Sequence, residues 1–123
     1  MLLELSPLAH TWILDLDGTI VKHNGYLTDG YDTFLDGAEA FLKSIPKQDM
    51  IIFLTSRSEM EREKTKEFLA KNQISYKTII FEAPYGERIV INDCKPSGLR
   101  MAVAVNCERD GKESFDYKIN EQL

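Results

Sequence analysis

Residues 12–21, WILDLDGTIV, run from Trp12 through Ile13 and Leu14 to Asp15, step over Leu16 to Asp17, and turn at once on Gly18 and Thr19. The apolar approach reads as a buried strand. Side chains alternate along a strand, so two carboxylates two residues apart lie on the same side. Gly18 allows a sharp turn at the strand end, and amides freed there can face an anion. The question is what else in the chain meets this pair.

Four further apolar runs follow: MIIFLT (50–55), KTIIF (77–81), RIVIN (88–92) and MAVAV (101–105). With TWILDL (11–16) they are rich in Ile and Val and apolar on both parities. That is how strands buried on both faces of a parallel sheet read. Between the first two strands, DGAEAFLKSIP (36–46) places Ala38, Phe41, Leu42 and Ile45 at helical spacing and stops at Pro46. Between the second and third, SEMEREKTKEFLAKNQ (58–73) predicts a largely exposed helix. Ser58 is its cap, Glu61 follows three residues later, and Met60, Phe68 and Leu69 form a partial apolar face. Strand–helix–strand alternation predicts an α/β fold: a Rossmann-like three-layer sandwich on a mainly parallel five-stranded sheet. EAPYGE (82–87) is short for a parallel crossover. Six extended residues span at most about 20 Å, so the expectation is a bare crossing loop or a fourth strand placed differently.

The 123 residues suit a single domain, 1–123, with a polar tail over about 108–123. A hydrophobic fraction of 43% supports a core, and 28% charged residues fit a solvated surface. The net charge of −5 argues against a general nucleic-acid binder. No apolar run reaches the length of a membrane span, and the start, MLLELSPLAH, lacks the basic region of a signal peptide. A cytoplasmic protein with Cys94 and Cys107 reduced is the expectation.

In open α/β sheets, ligands sit beyond the carboxyl ends of the strands. Asp15, Asp17, Thr55 and Asp93 each stand at such an end in the expected sheet. Carboxylates gathered there need a cation among them, and oxygen ligands with positions left open suit magnesium. A metal beside an aspartate also eases its attack on a phosphoryl group. One carboxylate can then attack while the other moves a proton. Thr55 offers a hydroxyl, and Ser56 an amide, to phosphoryl oxygens. Taken alone, each piece also has a plain structural reading: a D-x-D turn, a threonine ending a strand, an Asn-Asp turn.

DLDGT (15–19), FLTSR (53–57) and IVIND (89–93) resemble, in order, the first, second and fourth motifs of the haloacid dehalogenase (HAD) superfamily, mostly magnesium-dependent phosphatases. The resemblance covers about residues 11–107. It implies a hydrolase in which Asp15 becomes phosphorylated and Asp17 is general acid and base. It also implies Mg2+ held by Asp15, the Asp17 carbonyl and Asp93, with Thr55 on the phosphoryl group. Only about seventeen residues separate the first motif from the next helix, so a capless member is expected. INDCKPSG (91–98) is similar to small phosphatases or phosphatase-like proteins associated with bacterial surface-polysaccharide biosynthesis. A receiver domain groups similar residues, but its phosphorylated aspartate comes from a middle strand. The leading expectation is a phosphatase for a small phosphorylated metabolite, in particular a sugar phosphate. The alternative is a catalytically weak or inactive phosphate-binding domain.

The superfamily's third motif supplies a basic residue, and the Lys-Pro of related short proteins is Ala83-Pro84 here. Arg88 begins the strand that Asp93 ends, which puts it about 16 Å from the rim; Lys77 has the same fault. Lys95, two residues past Asp93, is the chosen cation. Arg57 reads either as a substrate contact or as an outward arginine. The segment 22–37 lies where capless relatives carry a flap, with His23, Asn24 and Tyr26 as leaving-group contacts; the other reading is a plain hairpin loop. Its rings Tyr26, Tyr31 and Phe34 suggest a homo-oligomer contact. His10 and Trp12 read as structural.

Overall fold

Three of the expected strands form, side by side and parallel. In the computed structural model, which describes residues 1–111 and 115–123, they are β2 (Thr11–Leu14), β3 (Met50–Leu54) and β4 (Thr78–Ile80). Their order is β2-β3-β4, with Leu14 beside Phe53 and Phe53 beside Ile79. Helix α2 (Ala38–Ser44) joins β2 to β3, and a 3-10 turn (Glu59–Glu61) leads into α3 (Arg62–Lys71) between β3 and β4. Ser58 caps that turn, its hydroxyl accepting from the Met60 amide at 3.2 Å. Both crossovers step the same way across the sheet. Right-handed connections therefore put α2 and α3 on one face.

On that face the core closes on Phe53, Leu16, Ile20, Leu69, Ala38 and Leu42, all buried. Trp12 meets Phe41 edge-on at 5.6 Å. Asp49 anchors the amino end of the sheet, accepting from the His10 amide at 3.0 Å and from Trp12 Nε1 at 2.9 Å. His10 and Trp12 are structural, as their sequence context suggests. Along α3 only Thr65 and Leu69 are buried, matching its sparse apolar pattern.

The expected five-stranded sheet does not form. Residues 88–92 and 101–105 adopt no strand, and Ile89, Val90, Ile91, Met101 and Val103 are exposed. The cause lies just after β4. The Glu82 amide donates to the Arg57 carbonyl at 2.8 Å and the Ala83 amide to the Thr55 carbonyl at 3.0 Å. These bonds hold the 82–87 connector at the carboxyl rim of the sheet. It does not cross to the amino rim, where a parallel strand would have to start. The chain instead makes an excursion, turning at Lys95–Leu99, and returns to Gly18, whose carbonyl accepts from the Asp110 amide at 2.9 Å.

The polar tail holds a strand that its composition hides. β5 (Asp116–Ile119) pairs in parallel with β1 (Leu2–Leu5) as a separate two-stranded sheet. Tyr117 packs on Trp12, ring centroids 5.1 Å apart. The outer face of the three-stranded sheet carries exposed Ile13 and Ile80, with Ile52 and Leu54 half buried. A third layer is not formed there by the described residues. No described helix is long and apolar enough to cross a membrane.

Candidate functional site

The turn after β2 is built on one carbonyl. Leu16 O accepts from the amides of Thr19, Ile20 and Val21 at 2.9–3.2 Å. Gly18 has φ of 85°, and a Cβ there would stand 3.0 Å from Arg109 Cγ, so any larger residue is both strained and crowded. The Gly18 amide donates to Val21 O at 2.7 Å. It is therefore engaged in the turn, which corrects the expectation that it faces an anion; Gly18 contributes shape. The same turn aims Asp15 and Asp17 into one cleft of about 620 Å³. Thr55, Ser56, Arg57, His23, Asn24, Tyr26, Tyr85, Arg88 and Arg109 line it with them.

Asp15 is one-third exposed and held from two sides. The Thr19 hydroxyl donates to Oδ2 at 2.9 Å, and Arg88 Nη1 stands 3.4 Å from Oδ1. Arg88 thus lies at the rim from which a strand over 88–92 would have excluded it. Without that strand, the connector delivers it directly to Asp15.

Asp17 is bound more tightly. Arg57 Nε and Nη2 donate to its two carboxylate oxygens at 2.9 and 3.0 Å. The same guanidinium donates to both oxygens of Asp32 at 3.0 and 2.7 Å, and to Thr65 Oγ1 at 3.0 Å. Its side chain is 2% exposed, so the outward-arginine alternative does not hold. Burial alone would pull the guanidinium's pKa down. The hydrogen bonds and charges of Asp17 and Asp32 outweigh it and hold the group above the usual arginine range. Tyr26 lies under Arg57, 4.1 Å from ring centroid to Cζ. Burial, and next the negative charge of Asp17, push its phenol up.

Thr55 is buried, and its Oγ1 accepts from the Arg57 amide at 3.1 Å. That leaves its O–H to donate into the cleft. Ser56 lines the cleft beside it. The flap segment carries a short helix, α1 (Gly25–Thr28). Its rings divide: Tyr26 faces the cleft, Phe34 packs inward on Phe68 at 4.8 Å, and Tyr31 is exposed.

Two expected residues are not brought in. Lys95 is exposed in the 95–99 turn, and Asp93 is exposed on the same excursion. Among the described residues, no three acidic, histidine or cysteine side chains gather as metal ligands. One chain therefore does not bring Asp93 to the Asp15 carboxylate and Asp17 carbonyl expected with it around Mg2+. The sequence reading missed Arg109 in the cleft and Asp32 behind it on Arg57, and it had set Arg88 aside. Asp32 sits in a turn-rich GYDTF, and Arg109 in a polar tail. Only the two bonds of its neighbour Asp110 show its place: the Asp110 amide donates to Gly18 O, and the Asp110 carboxylate accepts from the His23 amide.

No protein-family model and no curated protein matches the chain. Among solved structures it is similar to a chain in the structure of a Pnkp1/Rnl/Hen1 complex, at a TM-score of 0.52 and 30% identity. The match covers 68% of this chain and 31% of that one, so the chain spans about a third of its neighbour's length. The likeness agrees with an α/β fold on mainly parallel strands.

Proposed function

We propose that the protein is a phosphatase of the HAD type, acting on a small phosphorylated metabolite through an aspartyl-phosphate at Asp15. The observation that carries this reading is the pairing of Asp15 with Arg88 at the mouth of a cleft that also holds Asp17, Thr55 and Arg109. A carboxylate with a cation at its reacting oxygen, and a hydroxyl donor opposite, suits attack on a phosphoryl dianion. Asp15 Oδ forms the new bond to phosphorus, and the substrate oxygen leaves with a proton from Asp17. Water then attacks the phosphorus of the aspartyl-phosphate and gives its proton back to Asp17, which releases phosphate and restores Asp15. Arg88, Arg109 and the Thr55 hydroxyl bind the phosphoryl oxygens. A sugar phosphate is the leading substrate class, and dependence on Mg2+ belongs to the proposal.

A second reading rests on the Arg57 fork. Both oxygens of Asp17 are occupied, so proton transfer requires Asp17 to leave one of these bonds. This favours slow turnover or phosphate binding without turnover. Phosphorylated sugars, nucleotides and amino acids assayed with magnesium for phosphate release separate the two. Release that Asp15→Asn abolishes supports the phosphatase. Binding of inorganic phosphate without release from any substrate supports the binding domain.

A further inference from the structure

Residues 89–106 form an arm on which Ile89, Val90, Ile91, Met101 and Val103 have no cover, while Leu99 and Val105 are half buried. Ile91 is 92% exposed and Ile89 81%, with Val90 and Val103 above half and Met101 at 42%. The same chain has a matching vacancy. No described strand pairs with the outer edge of β2, and Ile13 and Ile80 lie open on the uncovered face of the sheet. An apolar segment of strand-like composition and an unpaired strand edge are each association-prone, and each satisfies the other.

The arm cannot meet its own β2 in parallel. It leaves from Arg88, already beside Asp15 at the carboxyl rim. Five residues of strand carry the chain about 16 Å, away from that rim. A second copy removes this conflict. When a two-fold axis sets the two β2 strands antiparallel, the carboxyl rim of one copy faces the amino end of the other's β2. The arm then runs along that strand towards the other copy's rim.

We propose that two copies of this chain exchange these arms, each laying residues 88–92 beside β2 of the other. The residues indicate the register. Ile13 and Asp15 share one side of β2, and Ile91 and Asp93 have the same spacing on the arm. With Ile91 beside Ile13, Asp93 stands one strand spacing, about 4.8 Å, from Asp15. The apolar side chains of both elements are covered, and a third carboxylate reaches a site that one chain leaves at two. The role given to Asp93 rests on the phosphatase reading; the exchange of arms does not.

Sedimentation of the full chain should give a dimer, and Ile91→Asp, at an exposed position, should give a folded monomer by circular dichroism. Hydrogen exchange should show amides 89–92 protected in the wild type and unprotected in Ile91→Asp. A wild-type monomer, or unprotected amides in a dimer, overturns the exchange whatever the activity. For the shared site, Asp15→Asn and Asp93→Ala are each inactive alone, and co-expressed in equal amounts should regain about a quarter of wild-type phosphate release. Half of such dimers pair the two variants, and one of their two sites is intact. Active wild type with an inactive mixture overturns the shared site while the phosphatase reading stands. Inactive wild type overturns that reading, and leaves sedimentation and amide protection to judge the arms.

Discussion

Arg57 grips Asp17 through two parallel hydrogen bonds, Nε to Oδ2 at 2.9 Å and Nη2 to Oδ1 at 3.0 Å, from a side chain that is 2% exposed. Asp32 completes the fork, so one cation serves two carboxylates. Removing the cation leaves both acids desolvated and repelling one another. Arg57→Ala should lower stability by about 3–5 kcal/mol in urea unfolding. Arg57→Lys keeps the charge but not the planar fork, and should recover only part of that loss. An Arg57→Ala variant as stable as the wild type would show that the fork does not hold the site together.

Asp15→Asn should abolish phosphate release. The amide has lost the nucleophilic charge, although it can still accept from the Thr19 hydroxyl, now 2.9 Å from Oδ2. Asp15 is one-third exposed, so stability should stay within about 0.5 kcal/mol. Wild-type turnover in this variant would exclude Asp15 as the nucleophile.

Arg88→Ala tests the cation that faces Asp15. The pair is about one-third in solvent and 3.4 Å apart, so stability should change by less than about 1 kcal/mol. Its effect belongs to the reaction: kcat/KM should fall on the order of 100-fold, as when one donor to a developing charge is lost. Lys95→Ala, on the exposed turn, should leave kcat/KM unchanged. If Lys95→Ala produced the larger loss, the roles would be reversed.

Asp49→Ala tests the fold apart from the chemistry. Its side chain is 3% exposed and satisfies both the His10 amide and the Trp12 indole. Loss of that acceptor should cost about 1–3 kcal/mol in thermal or urea unfolding. Asp49 precedes β3 at the amino end of the sheet, opposite the cleft, so phosphate release at low temperature should be unchanged.

The sequence alone determined what local pattern can carry. β2, β3, β4 and both long helices follow from apolar periodicity, caps and Pro46, and Asp15, Asp17, Thr55 and Ser56 follow from standing at strand ends. These readings need only a few neighbouring residues. Tertiary structure decided which distant groups meet them. Arg57 became a buried clamp because Asp32, 25 residues earlier, folds back over it. Arg88 reached Asp15, 73 residues away, because the Thr55 and Arg57 carbonyls capture the connector amides of Ala83 and Glu82. The same capture kept 88–92 and 101–105, as strand-like as any run in the chain, out of the sheet. β5 formed from a polar tail because its partner, β1, lies at the other end of the sequence. A strand needs an edge at the correct rim as well as apolar residues, and no window of sequence contains that edge.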